Sequence, residues 1–331
     1  MNKVILLAKR PVGLPTLSDF NFTEEERATL KEGEILLKTL YVSVDPYLRG
    51  RMSEAKSYVP PFQLNQPLQS AIISEVVESK NAEFTIGENV LGLLDWKEYQ
   101  TSNGKGLTKV DAKKANLSAY LGVLGMTGLT AYLGLTNIGK PKAGETLVVS
   151  GAAGAVGSVV GQIGKILGCR VIGIAGTDKK VDILKSKFGF DEAINYNTTK
   201  DMITAIKTAA PDGVDIYFDN VGGEISDAVL ANINKFGRVP VCGAISLYNE
   251  TKMPMGPRVQ PILVKNSVLM QGFIVSNYVD QFPLAIQKLA TWLQEGKLTY
   301  TETIVEGFDQ IPQAFIDLFE GKNEGKMIVK I

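Results

Sequence analysis

No histidine occurs anywhere in the 331-residue sequence, and cysteine occurs only twice, at Cys169 and Cys242. Without imidazole there is no Ser–His–Asp triad, no histidine general base and no histidine-ligated metal. Two thiols build neither a four-thiolate zinc lobe nor a disulfide framework. An excess of charge of one sign is missing too. Lys and Arg number 35 and Asp and Glu 35, with no basic block, which argues against a nucleic-acid or anionic-membrane binder. Long apolar runs are also lacking. The start, MNKVILLAKRP, has an apolar run of five residues, Val4 to Ala8, too short for a signal-peptide core, and it reads as a strand. The longest charge-free stretch, 115–139, holds five glycines, three threonines and two asparagines, too polar and broken for a membrane span. These absences imply a cytoplasmic, reduced protein with neither membrane nor nucleic acid as partner. What is present is an ordinary globular composition, 45% hydrophobic, at a length that suggests about two domains.

The two parts differ in texture. Up to about residue 120 the chain is β-rich, with Glu34–Val44, Ser70–Glu78 and Gly87–Leu94 reading as strands between Gly, Pro and Asn. From Thr146 onward short apolar strands alternate with helical patterns, the mark of a parallel, doubly wound sheet. The strands predicted are Thr146–Ser150, Arg170–Ala175, Ala193–Asn195, Val214–Asp219, Gly237–Cys242 and Val268–Phe273. Three helices are predicted between them: one facing the core with Val156 to Leu167, one with Val181, Leu184 and Phe188, and one with Ile225, Val229, Ile233 and Phe236. Each is followed by a glycine suited to a left-handed C-cap. Pro240 is awkward inside the fifth strand, because it removes a ladder donor. A helix near 280–295 and a tail helix between Pro312 and Gly321 complete the pattern.

The strongest motif is LVVSGAAGAVGSVVGQIG, Leu147 to Gly164, where an apolar strand enters a small-residue turn and then a helix. That is the context the G-x-G-x-x-G dinucleotide fingerprint requires, although Ala152 replaces its first glycine. Gly154 lets a pyrophosphate approach the helix amides, and Gly157 lets helix and strand pack closely. The next strand ends Ala175-Gly176-Thr177-Asp178-Lys179-Lys180. No acid sits at its tip to grip a ribose 2′-hydroxyl, Asp178 reads as a helix N-terminal residue, and a lysine follows within one turn. This favours NADP(H) over NAD(H).

Six motifs run in order through nearly the whole chain: Val42–Met52 (VSVDPYLRGRM), Gly125–Tyr132 (GMTGLTAY), Gly151–Gln162 (GAAGAVGSVVGQ), Asp215–Gly223 (DIYFDNVGG), Val241–Ser246 (VCGAIS) with Tyr248 and Asn249, and Gly325–Ile331 (GKMIVKI). In them the chain resembles the zinc-independent medium-chain dehydrogenases/reductases, in the branch of leukotriene B4 12-hydroxydehydrogenase/prostaglandin reductase, plant alkenal double-bond reductases and bacterial curcumin reductase. The wording RGRMSEAKSYVPP leans toward the curcumin reductases. The resemblance implies an α/β fold: a GroES-like, β-rich catalytic domain of residues 1–120 and 296–331 around an inserted Rossmann domain, 121–295. It implies NADP(H) contacts from Gly154, Ala155, Val156 and Gly157 at the pyrophosphate turn. Lys180 would take the 2′-phosphate and Tyr196 would lie near the adenosine end. Further contacts would come from Asn220, from Cys242, Gly243, Ala244, Ile245, Ser246 and Tyr248, from Phe273 and Val275, and from Asn323 of the returning tail. Relatives suggest a homodimer.

With neither imidazole nor metal ligands, alcohol–ketone interconversion lacks its Lewis acid, and conjugate reduction of an α,β-unsaturated ketone or aldehyde fits better. Hydride adds to the β-carbon, and hydrogen-bond donors stabilise the enolate oxygen. The donors available are a tyrosine, a cofactor ribose hydroxyl or solvent. Tyr47 is the side-chain candidate, since Pro46 fixes its backbone and the resembled plant reductases place a tyrosine of this motif at the substrate. The competing reading is a tyrosine packing between domains, and Arg49 and Arg51 read as interdomain or dimer contacts. Lys265 stands where several relatives carry a second active-site tyrosine. The activity implied is metal-free, NADPH-dependent reduction of apolar enones and enals. The alternatives are an NADPH quinone oxidoreductase and an NADPH-binding protein without turnover.

Overall fold

The computed structural model describes residues 1–331 and divides into two compact units. One comprises Met1–Leu121, Glu302–Asn323 and Met327–Ile331; the other comprises Gly122–Thr301 and Glu324–Lys326.

The chain opens with β1 (Asn2–Leu7), β2 (Phe20–Glu25), β3 (Ile35–Ser43), a single helical turn α1 (Leu48–Arg51), β4 (Gln69–Ser79), β5 (Asn89–Asp95), β6 (Tyr99–Ser102) and β7 (Thr108–Val110). The second unit follows with α2 (Met126–Gly134), β8 (Thr146–Ser150), α3 (Gly157–Ile166), β9 (Arg170–Ala175), α4 (Asp178–Ser186), β10 (Glu192–Asn195), α5 (Met202–Ala209), β11 (Val214–Phe218), α6 (Gly223–Leu230), β12 (Ile233–Val241), α7 (Gln260–Asn266), β13 (Leu269–Gly272) and α8 (Phe282–Gln294). The tail adds β14 (Glu302–Glu306), α9 (Ile311–Phe319) and β15 (Lys326–Lys330).

In the first unit β1 and β2 form a separate ribbon, and the main sheet runs β14-β15-β3-β4-β5-β7, with β6 on β3. Trp96 anchors its core: fully buried, it lies 6.2 Å from Phe20 and donates its indole N–H to Ser70 Oγ at 2.9 Å. The tail belongs here because α9 is apolar on one side. Ile311, Phe315 and Leu318 join the same core, and β15 pairs antiparallel with β3.

The second unit is built on one parallel sheet, ordered β10-β9-β8-β11-β12-β13. Counted within the unit this is 3-2-1-4-5-6, the doubly wound order of dinucleotide-binding sheets. β8 is buried at all five positions because it lies inside the sheet between β9 and β11, which is why its centre, Leu147-Val148-Val149, is apolar, with polar Thr146 and Ser150 only at its ends. The order reverses between β8 and β11, which opens a crevice beyond their carboxyl ends.

Two local expectations are corrected. The apolar periodicity of Ile225, Val229, Ile233 and Phe236 does not mark one helix: α6 ends at Leu230, and Ile233 starts β12, paired with Val214. Asn232 closes the helix by donating to the Ala228 carbonyl at 3.0 Å, and Phe236, not Gly237, takes the positive φ of 64°. The helix α5, for which no pattern was read, buries only Ile206. Pro240 does lie inside β12; its carbonyl accepts from the Asp219 N–H at 3.0 Å, beside a pairing of β11 and β12 that is already irregular. No helix is long and apolar enough to cross a membrane.

Candidate active site

Between β8 and α3 the turn is held by its own backbone. Gly151 has φ 57°, Ala152 N–H donates to the Ile174 carbonyl at 3.0 Å, and Gly154 N–H donates to Gly151 at 3.0 Å. Its two fingerprint glycines differ in kind. A Cβ on Gly157 would collide with the backbone of Gly151 and Ala152, so that glycine serves close packing. A Cβ on Gly154 would meet only the Gly151 carbonyl, at 3.2 Å, leaving the rest of its surroundings open to a ligand. The amides of Ala155, Val156 and Gly157 open α3, where no intrahelical acceptor exists and an anion is favoured.

The crevice is organised by Asp219, buried at the end of β11. Its Oδ1 accepts from Tyr217 Oη at 2.8 Å, Ser150 Oγ at 3.1 Å, Val221 N–H at 3.0 Å and Gly222 N–H at 2.8 Å. Its carbonyl accepts from Cys242 N–H at 2.8 Å and Gly243 N–H at 3.2 Å. Asn220 donates from its side chain to the Ser150 carbonyl at 2.7 Å. Ser246 Oγ donates to the Val221 carbonyl at 2.6 Å, and the Tyr248 hydroxyl accepts from Ala244 N–H at 3.3 Å. Thus Asn220, Cys242, Gly243, Ala244, Ile245, Ser246 and Tyr248 gather at the ends of β11 and β12. Phe273 follows β13, its N–H donating to Val241 at 3.3 Å and its ring lying edge-on to Phe218; Val275 comes two residues later. Burial, then the nearby Asp219, pushes the Cys242 thiol up to about 12, and burial also raises the Tyr248 phenol.

Around the end of β9, Thr177 caps α4 by accepting from the Lys180 N–H at 3.2 Å. Asp178 takes the side-chain N–H of Asn195 at 2.7 Å, which occupies one oxygen of the only acid that the strand-to-helix turn itself carries. Lys180 is half-buried, and burial lowers its pKa. Tyr196 binds the Ala175 carbonyl through its N–H at 3.0 Å, and its hydroxyl covers Gly176. Lys265 lies exposed in the last turn of α7. Sequence reasoning missed two residues here. One is Asp219, readable only as an acid before an Asn and a Gly pair; the other is Glu324, whose Oε1 lies 2.6 Å from Lys179 Nζ.

Tyr47 and Asn323 belong to the first unit. Tyr47 opens α1, half-buried against the unit's core, and its phenol pKa is raised well above the usual value by burial and by neighbouring Asp45. Arg49 donates to the carbonyls of Pro11 and Gly13, at 3.2 and 3.0 Å. Arg51 donates to Pro60 at 3.1 Å and stacks on Phe62. Both arginines, expected at an interdomain or dimer contact, therefore pin loops of their own unit.

Two family models match, one described as the N-terminal domain of oxidoreductase, over residues 3–110, and one as zinc-binding dehydrogenase, over residues 155–291. The zinc of the second description finds no fitting donor set here, since no histidine exists and the two thiols are separate, Cys169 being buried beside β9. The chain is 43% identical over 335 residues to NADPH-dependent curcumin reductase of Escherichia coli, covering 100% of this chain and 97% of that protein. It is 46% identical over 329 residues to prostaglandin reductase 1 of Bos taurus, covering 98% and 97%. The crystal structure of CurA from Vibrio vulnificus in complex with NADPH matches with a TM-score of 0.95 at 44% identity, covering 99% of this chain and 98% of that one. Its GroES-like and Rossmann units, strand order and motifs place the chain in the zinc-independent branch of the medium-chain dehydrogenases/reductases, alongside curcumin reductase and prostaglandin reductase.

Proposed function

We propose that this protein binds NADPH at the carboxyl ends of its parallel sheet and uses it to reduce the C=C bond of α,β-unsaturated ketones and aldehydes without a metal. The observation that carries the reading is the end of β9, where Lys180 stands and the acid of the turn itself, Asp178, is engaged by Asn195. Bound NADPH supplies the hydride. The chain's own groups hold the coenzyme. Ala155, Val156 and Gly157 offer amides to the pyrophosphate, with Gly154 giving room. Lys180 takes the 2′-phosphate and Tyr196 flanks the adenosine. Asn220, Cys242–Ser246, Tyr248, Phe273, Val275 and Asn323 hold the remainder. Tyr47, whose raised pKa keeps its phenol protonated, donates to the substrate oxygen where negative charge grows as the β-carbon is reduced.

An NADPH-oxidation panel over cyclic enones, alkenals, a curcumin-like dienone and quinones tests this, with products identified. Saturated carbonyl products support it; turnover of quinones alone would favour the quinone-reductase reading.

Two finer points belong to the same proposal. Free Cys169 and Cys242 suit a reducing, cytoplasmic setting. A homodimer is supported by β13, an edge strand whose Leu269 is 46% exposed, and by Val264, 80% exposed on the preceding helix α7. An unpaired edge with apolar side chains is suited to a second copy of itself. Val264→Glu combined with Leu269→Lys should halve the mass measured by sedimentation.

A further inference from the structure

After α9 the chain re-enters the second unit for three residues, Glu324–Lys326, and seats against the glycine-rich turn. Gly325 N–H donates to the Ala153 carbonyl at 2.8 Å, Gly154 and Gly325 form a parallel bridge, and Lys326 N–H donates to Thr301 at 3.0 Å. Gly325 has φ 65°, and any Cβ there would overlap the Thr301 carbonyl, so shape fixes this strap. The strap delivers the Glu324 carboxylate to the start of α4, where it meets Lys179 Nζ at 2.6 Å. Lys179 is 75% exposed in that pair, and such a bridge adds little to folding. What it does add is a negative charge whose field reaches the half-buried Lys180.

We propose that Glu324 is a specificity-determining residue for the coenzyme: its carboxylate opposes the adenosine 2′-phosphate and holds Lys179 away from it, so the enzyme prefers NADPH less strongly than its two lysines would dictate. The proposal rests on Lys180 being the 2′-phosphate site, as argued above. The charge is fixed by the strap, so it acts whether or not coenzyme is present, and it acts most on ligands that carry the extra phosphate, the group nearest Lys179 and Lys180. Coulomb attraction or repulsion at a partly exposed site gives an effect of about fivefold in affinity.

Calorimetric titration with 2′,5′-ADP and with 5′-AMP tests this without turnover. Glu324→Gln should tighten 2′,5′-ADP about fivefold, change 5′-AMP by less than about twofold, and lose most of the gain in roughly 0.5 M salt. No change, weaker binding, or an equal shift for both ligands would overturn it, the last because it marks displacement of the strap. Lys180→Ala, titrated in parallel, separates the two assumptions. If it leaves the preference for 2′,5′-ADP intact, the 2′-phosphate assignment fails and the role of Glu324 with it. If it removes that preference while Glu324→Gln is silent, only the role of Glu324 fails.

Discussion

The Ser150 hydroxyl donates to the Asp219 carboxylate at 3.1 Å, and so ties together the ends of β8 and β11, the two strands that flank the crevice. The same oxygen takes two backbone amides and the Tyr217 phenol, so the loop after β11 is shaped from a buried acceptor. Asp219→Ala would leave several buried donors without partners at once. We expect a loss of about 2–4 kcal/mol in stability, read from the denaturant midpoint, with a parallel loss of NADPH affinity.

The two glycines of the turn should separate stability from binding. Gly157→Ala places a methyl against the backbone of Gly151 and Ala152 and should lower the melting temperature by several degrees. Gly154→Ala meets only the Gly151 carbonyl, a tight contact that a shift of a few tenths of an ångström relieves, and should lower the melting temperature much less than Gly157→Ala, yet bind NADPH at least tenfold more weakly. Equal effects on melting would contradict the division of roles.

Much of this site was legible in the sequence. The limits of β8 and β9 follow from short apolar runs bounded by glycine, and the turn after β8 reveals itself because backbone chemistry there demands small residues. The misreading of Ile233 and Phe236 has a simple cause: their spacing suits a helix, and only the parallel partner Val214 shows that Ile233 is in a strand. Asp219 and Glu324 were missed for a related reason. Their partners, Ser150 and Lys179, are distant in sequence, and an acid at a strand end or near a terminus has no local pattern to distinguish it.

Tyr47→Phe should lower kcat on an enone about 10- to 100-fold while leaving the Kd for NADPH within twofold. The pH profile adds a sign. Burial and Asp45 raise the phenol pKa, so the protonated donor persists where an ordinary tyrosine would be half ionised, near pH 10. Wild-type turnover should therefore show no alkaline fall from Tyr47 up to about pH 10. A fall near pH 9 that disappears in Tyr47→Phe would refute this.

The two thiols should resist electrophiles, including the enones themselves. With Cys242 raised to about 12 and Cys169 to about 11, the thiolate fraction at pH 8 is of order 0.01–0.1%, against about 10–25% for a free thiol. Because both shifts are upward, reactivity should rise only above about pH 10. Iodoacetamide labelling of the native protein at pH 8, followed by intact mass, should show neither cysteine modified within an hour, and both modified after unfolding.

The most direct measurement follows the label from NADPH carrying deuterium at both C4 positions into the product of a simple enone. Both C4 positions are labelled so that the face of transfer is immaterial. The account predicts a saturated ketone with one deuterium, on the β-carbon, and an unlabelled α-carbon. Deuterium on the carbonyl carbon of an allylic alcohol, or oxidation of NADPH with the enone recovered intact, would contradict it.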